Sequence, residues 1–209
     1  MAMLRIDPAT SSASDIYKLM IGMVVPRPIA FVSSLDEQGV RNLAPFSYFM
    51  ACTADPPVVC FVSSFRKAEH PVKDTLRNIA ATHEFVVNIV SEEFAGGMNL
   101  TAAEVAPEVD EFELSGLTPV ASEIVRPPRV AESHAHMECR LRQLLPIGEA
   151  PGGGTVVFGD VLCFHVDEEV LDRKKDGYKI DPGRLNAIGR MGGPTYVRTR
   201  DRFDMDRPR

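Results

Sequence analysis

Three segments of this sequence carry side chains of the types that hold a ligand. In the first, Arg27, Ser33 and Ser34 put cationic and hydroxyl groups beside and within the apolar run Ile29 to Leu35. An exposed arginine and a strand end at a turn explain them equally well. The second is Asn42-Leu43-Ala44-Pro45-Phe46-Ser47-Tyr48-Phe49. Its small residues let a flat ligand approach the backbone. Pro45 removes one donor and leaves neighbouring N–H and C=O groups to pair with ring heteroatoms. A kinked strand with aromatics in the core is the alternative. The third is Ser63-Ser64-Phe65-Arg66-Lys67, followed by Lys73-Asp74-Thr75. A helix starting near Pro71 places Lys73 in its first turn, where a cation opposes the helix dipole by roughly 0.3–1 kcal/mol. An anion bound there reverses that penalty, because free N–H groups, an ammonium and a hydroxyl converge on it. A surface lysine relieved by Glu69 or Asp74 is the alternative reading.

The elements that would position these groups follow from periodicity. Asp15 to Met20 forms a short helix with Ser14 as its cap and Gly22 as its stop, in an N-terminal arm. Pro26-Arg27-Pro28 fixes an extended entry to a hairpin. That hairpin runs from Ile29 to Leu35, turns at Asp36-Glu37-Gln38-Gly39 and returns through Val40 to Ala44. Val58 to Val62 is an unbroken apolar run suited to a strand buried on both faces. Val72, Leu76, Ile79 and Ala80 fall at helical spacing, with Pro71 suited to the first helical position. Phe85 to Val90 is again a strand. Ser91 suits a helix cap, but Phe94 stands where a full capping box needs Glu or Gln. Met137 to Leu145 and Val156 to Val166 read as strands around a Pro/Gly-rich turn, Pro146 to Gly154. At least five strands, interrupted by two or three helices, favour a mainly antiparallel barrel with helical insertions over a doubly wound sheet. The acidic stretch Glu104 to Glu113 reads as a solvated loop or helix face, and residues 198–209 as a frayed tail or an arm on a partner subunit.

Composition narrows the function classes. The 209 residues carry a net charge of −6, which gives no reason to expect nucleic-acid binding. No apolar run reaches membrane-spanning length, and the first residues lack the layout of a signal peptide, so a cytoplasmic location is expected. Cys52, Cys60, Cys139 and Cys163 are too dispersed for a zinc knuckle or a redox pair and read as buried thiols. Neither a P-loop nor a Rossmann glycine fingerprint is present. Gly152-Gly153-Gly154 belongs to a hairpin connection, and no nucleophile elbow exists. His134 and His136 share a strand face, but Glu138 is the only further metal ligand in view, and no metal is expected.

Taken in order, Pro-Arg-Pro-Ile-Ala-Phe-Val-Ser-Ser (26–34), Asn-Leu-Ala-Pro-Phe-Ser-Tyr-Phe (42–49), Pro-Pro-Val-Val (56–59), Lys-Asp-Thr-Leu-Arg-Asn-Ile (73–79) and Glu-Phe-Val-Val-Asn (84–88) resemble the flavin reductase-like, FMN-binding split-barrel family. That family includes the reductase components of two-component flavin monooxygenases and flavoredoxin-type proteins. The likeness covers residues 20–166, leaving an arm over 1–19 and a C-terminal extension over 167–209 that could pack on a dimer partner. It implies a homodimeric split β-barrel with FMN near the subunit interface. By position, Ser33, Ser34, Asn42, Leu43, Ala44, Pro45 and Ser47 would lie along the flavin ring and ribityl chain. Ser63, Lys73, Asp74 and Thr75 would lie near the phosphate, with Arg27 and Arg66 as further candidates. Gly189 to Tyr196 resembles a C-terminal segment that approaches the flavin in some members. Hydride would pass from NADH or NADPH to flavin N5, and reduced flavin or electrons would go on to an oxygenase or another acceptor. No side chain is nominated as catalytic, because the cofactor performs the chemistry. The same contacts would serve an electron carrier or flavin store that does not use NAD(P)H, and a non-enzymatic interaction barrel is the reading from another class. The negative net charge bears little on such a site, since a phosphate would see Lys73 and a helix N-terminus while much of the acidic surplus lies between Glu104 and Glu113.

Overall fold

A computed structural model describes residues 2–65, 72–148, 152–172 and 177–208 of the chain. Its first helix, α1 (Ala13–Met23), starts earlier than expected. The Ser12 hydroxyl, not that of Ser14, accepts from the Asp15 amide at 3.1 Å and donates to the Asp15 carboxylate at 2.8 Å. This reciprocal pair satisfies a helix-end donor locally. Gly22 lies inside the helix, which closes where the Val24 amide donates to Met20.

Four strands follow: β1 (Ala30–Leu35), β2 (Arg41–Phe46), β3 (Phe49–Ala54) and β4 (Pro57–Ser64). Helix α2 (Asp74–Thr82) leads into β5 (Glu84–Ile89). Ser91 precedes a 3-10 turn at Glu92–Phe94 without capping it through its side chain, and α3 (Ala95–Leu100) and α4 (Glu111–Ser115) come next. The short strands β6 (Pro119–Val120) and β7 (Arg129–Val130) precede the long pair β8 (Ala135–Ile147) and β9 (Gly154–Val166). Helix α5 (Pro182–Leu185) and the ribbon β10 (Ile188–Arg190) and β11 (Tyr196–Arg198) complete the set. Seven strands form one sheet in the order β2-β1-β5-β8-β9-β4-β3, with every neighbouring pair antiparallel. The antiparallel, mainly β architecture expected from the pattern is therefore the one observed.

The expected hairpin pairs Ala30 with Phe46 and Leu35 with Arg41. Alternation along β1 divides the interior. Ala30 and Val32 enter a core with Phe46, Phe61, Ile79, Phe85 and Val87. Phe31, one residue out of phase, enters a second core with Leu43, Phe94, Phe112 and Val130. The two cores lie on opposite faces of the same strand, so neighbouring residues on β1 serve different packing environments. Gly159 on β9 is required by a close approach: a Cβ there would overlap the buried Phe85 ring. Gly159→Ala is expected to lower stability by about 1–3 kcal/mol through overpacking, and a denaturation midpoint equal to that of the parent would refute it.

Three expectations are corrected here. The second helix starts at Asp74, so Lys73 is its N-cap in extended conformation (φ −68°, ψ 148°) rather than a first-turn residue. Pro71, Arg66 and Glu69 lie outside the described residues. The acidic stretch is not wholly solvated, because Glu111 is buried. Of the four cysteines only Cys139 is fully buried; Cys52, Cys60 and Cys163 are half-buried. The tail is exposed and without regular structure over 201–208, but Arg198 and Arg200 both pair with Glu92, at 2.5 and 2.6 Å. Among the described residues no helix is long and apolar enough to cross a membrane.

Candidate functional site

Strand β2 ends the sheet order, so one of its edges carries no strand partner. The N-terminus of α2 lies against it, and the hydroxyl of Thr75 donates to Asn42 Oδ1 at 2.5 Å. Two cavities open along this edge. The smaller, about 100 Å³, is lined by Asn42, Ala44, Pro45, Lys73, Thr75 and Glu111, and by the 101–104 loop. The larger, about 300 Å³, is lined by Pro45, Phe46, Ser47, Tyr48, Ser64 and Lys73, with Tyr17 and Ile21 of α1 as its far wall. Pro45 and Lys73 belong to both, so the cavities meet there. A third, largely apolar hollow of about 290 Å³ continues past Ser47 and Tyr48 to Met20, Phe49 and Cys60.

Charge and donors concentrate at the junction. The Lys73 ammonium stands 4.9 Å from the centroid of the Phe46 ring. A lysine side chain supplies no acceptor, so as N-cap it makes no side-chain cap hydrogen bond to α2. An ammonium, a helix N-terminus and a wall of Ala44 and Pro45 form a cradle for a flat ligand with an anionic end.

Behind this surface lies a closed polar network. Asn42 Oδ1 accepts from Ser34 at 3.3 Å as well as from Thr75, and Asn78 donates to the Ser34 hydroxyl at 3.3 Å. Asn42 Nδ2 donates to Glu111 Oε1 at 2.8 Å, and the Leu43 amide donates to Glu111 Oε2 at 3.1 Å. Asp74 is buried and paired with Arg77. Burial, with Asp74 nearby, pushes the Glu111 carboxyl up to about 7 against the opposing pull of its hydrogen bonds.

The site thus gathers Asn42, Ala44, Pro45, Ser47, Lys73 and Thr75 on its surface, with Ser34 and Asp74 beneath them. Four other sequence candidates stand elsewhere. Ser33 shares the face of Phe31, and its hydroxyl donates to the Pro128 carbonyl at 2.5 Å. The period-2 alternation of β1 turns it away from Ser34. Leu43 is buried in the second core and its amide is taken by Glu111, so it is not left to pair with a ring. Ser63 follows the opposite face of β4 from Ser64 and is buried, with a hydroxyl that has no hydrogen-bond partner. Arg27 is only 4% exposed. Its Nη1 donates to the Ile21 and Val24 carbonyls at 2.8 and 2.9 Å, and its Nη2 to the Met191 carbonyl at 2.9 Å. Its Nε donates to Ser47 at 3.3 Å. These contacts tie α1 to the C-terminal segment and use the guanidinium mainly on backbone carbonyls, with Tyr48 5.8 Å away and the third hollow beside it.

Sequence reasoning missed Glu111, Tyr17 and Ile21. Asp110 before an acidic first turn, with Gly116 six residues on, signals a short helix but not the burial of one of its acids. His136 Nδ1 lies 2.8 Å from Asn88 Oδ1 and His134 Nδ1 lies 3.0 Å from Asp167, and among the described residues no His/Cys/Asp/Glu group could hold an ion.

Known proteins share this architecture. Component B of nitrilotriacetate monooxygenase from Bacillus cereus is 37% identical, with a TM-score of 0.90, covering 98% of this chain and 100% of that one. The 2-nitrobenzoate 2-nitroreductase NbaA from Pseudomonas fluorescens is 31% identical, with a TM-score of 0.86 over 98% of this chain and 96% of that one. A split-barrel protein from Shewanella frigidimarina, 18% identical with a TM-score of 0.80 over 99% of this chain and 100% of that one, is similar in fold alone. The model of the flavin reductase like domain matches residues 22–181. The antiparallel sheet is thus a split β-barrel, and the chain belongs to the flavin reductase-like domain family.

Proposed function

We propose that this chain binds FMN along the free edge of β2 and acts as an NAD(P)H-dependent flavin oxidoreductase. The observation that carries this reading is the junction at Lys73 and Pro45, where a cationic, amide-rich corner joins a flat-walled groove. The donor set fits the group. Lys73 and the start of α2 suit a phosphate, and Ala44 and Pro45 leave room for a ring. Tyr48 and Phe46 supply aromatic surface, with Ser47 and Ser64 as polar groups along the same wall. When bound, the flavin supplies hydride-accepting chemistry and NADH or NADPH supplies the hydride. The protein's own residues orient and enclose: Lys73 holds the anionic end, Asn42 is fixed by Ser34, Thr75 and Glu111, and Tyr17 and Ile21 shield the groove from water.

The consumer of the electrons is proposed to be a flavin-dependent oxygenase, a reading supported by the naming of the B. cereus protein as a monooxygenase component. A second reading, direct reduction of a small aromatic acceptor, is supported by the nitroreductase relative. A homodimer in the cytoplasm is the proposed working form; exposed Met20, Met23 and Met50 offer apolar surface for the subunit contact.

Anaerobic mixing with NADH and with NADPH, following flavin absorbance, tests the activity. Bleaching by either supports a reductase, and bleaching by neither leaves an electron carrier. Colourless protein that takes up no added FMN leaves an interaction barrel. Lys73→Ala combined with Thr75→Ala is expected to weaken FMN binding about tenfold or more while the fold is retained. Unchanged affinity would sink the phosphate assignment.

A further inference from the structure

We propose that Glu111 is the residue that positions the Asn42 amide and the β2 edge for the cofactor, and that it does so as an ionised carboxylate. The proposal rests on the FMN reading above. Its basis is the direction of every hydrogen bond around Asn42. The two acceptor positions of Oδ1 are filled by the Ser34 and Thr75 hydroxyls. Nδ2 must therefore face Glu111, and it does, at 2.8 Å from Oε1. The second carboxylate oxygen takes the Leu43 amide at 3.1 Å. Both oxygens are acceptors of protein donors, an arrangement that an ionised carboxylate satisfies fully. A neutral carboxyl would need an acceptor for its proton, and Asn42 Oδ1 is already full. The remaining Nδ2 hydrogen of Asn42 is then fixed in direction at the wall of the smaller cavity.

Burial and Asp74 raise the Glu111 carboxyl, and further charged groups stand on the elements packed around it. On its own helix, Asp110 and Glu113 are both held by Arg41 of β2, at 2.5 and 3.6 Å. From α2 come Asp74, paired with Arg77, and Lys73 at its N-cap. Glu104 lines the same cavity from the loop after α3. Burial raises the Glu111 carboxyl to about 7, so its charge changes near neutrality. Protonation replaces one acceptor with a donor aimed at an amide, and the Asn42 orientation loosens.

The test is flavin affinity against pH, read by fluorescence quenching for wild type, Glu111→Gln and Glu111→Asp. Both FMN and riboflavin are used, because a phosphate group titrates in the same range and riboflavin has none. For wild type, both ligands should bind about tenfold more tightly at pH 8 than at pH 6. Glu111→Gln should bind both about tenfold more weakly at pH 8, with the riboflavin profile flat. Glu111→Asp should recover part of the pH dependence, which a merely structural loss would not restore. Riboflavin affinity independent of pH in wild type overturns the proposal and leaves the FMN reading intact. Tighter binding at low pH also overturns it, since the carboxylate would then act by repelling the ligand. Protein that binds neither flavin at any pH overturns both.

Discussion

Glu138→Ala is expected to cost at least about 4 kcal/mol of stability, a large share of the roughly 5–15 kcal/mol that holds a domain folded. Glu138 is fully buried on β8. Its Oε1 accepts from the Glu123 amide at 2.8 Å and faces His165 Nε2 at 2.6 Å. Its Oε2 accepts from the Ile124 and Val125 amides at 2.6 and 3.0 Å. Burial opposes the charge, but three amides and His165 outweigh it and hold the carboxyl below its usual range. One side chain thus satisfies three consecutive amides of the chain between β6 and β7. Alanine takes the acceptor from all three at once, leaving the Val125 amide unpaired in the interior and those of Glu123 and Ile124 unpaired in part-buried positions. Glu138→Gln should fall in between, because its amide keeps one acceptor and turns a donor toward other donors. Urea unfolding checks both, and a Glu138→Ala midpoint within the equivalent of about 1 kcal/mol of the parent would falsify this account.

The second large effect concerns pH and appears only when one of two opposing groups is removed. Glu111 titrates near 4.5 when unfolded and at about 7 in the fold. Its folded value is raised, so its contribution is complete below about 4.5 and is lost as pH rises through 7. His136 behaves oppositely. Burial, then the charges of Arg129 and His165, lower it from 6.5 to about 4. The stability it retains as a neutral ring is complete above 6.5 and is lost as pH falls through 4. Each contribution is on the order of 3 kcal/mol, and between pH 4.5 and 6.5 their slopes cancel. Removing Glu111 by Glu111→Gln should expose the His136 slope, so the variant loses stability relative to wild type as pH falls from 7 to 4.5. His136→Gln should show the reverse difference. Parallel stability–pH curves for wild type and both variants would refute the pairing. Glu111 also sets two demands against each other: folding favours its neutral form, whereas orienting Asn42 needs its charge.

Much of this was legible in the sequence where a period carries information. Alternation along Ile29 to Leu35 and the apolar run Val58 to Val62 located β1 and β4, because one or both faces are buried. Strand β3 was not legible, since Met50, Ala51 and Thr53 are exposed and its apolar residues follow no period. Asn42, Ala44, Pro45, Lys73 and Thr75, which line one cavity of the candidate site, stand in the sequence as parts of an ordered set of motifs. Ser33 and Ser34 could not be told apart, because phase on a strand depends on which face the sheet buries. The surroundings of Arg27 were not legible for a different reason: most of its partners are backbone carbonyls, which leave no trace in residue type. Glu111 was hidden because an acid in an acidic run reads as solvated.

The Arg27 contacts also couple the two ends of the chain. Residues 21 and 24 precede the sheet and residue 191 follows it, yet one guanidinium bonds to all three, and the Arg27 and Arg190 backbones exchange hydrogen bonds at 2.9 and 2.8 Å. Neither segment can peel away without stranding the same buried charge. The segments before and after the sheet are thus coupled through one side chain, and detaching either breaks hydrogen bonds to the same buried guanidinium.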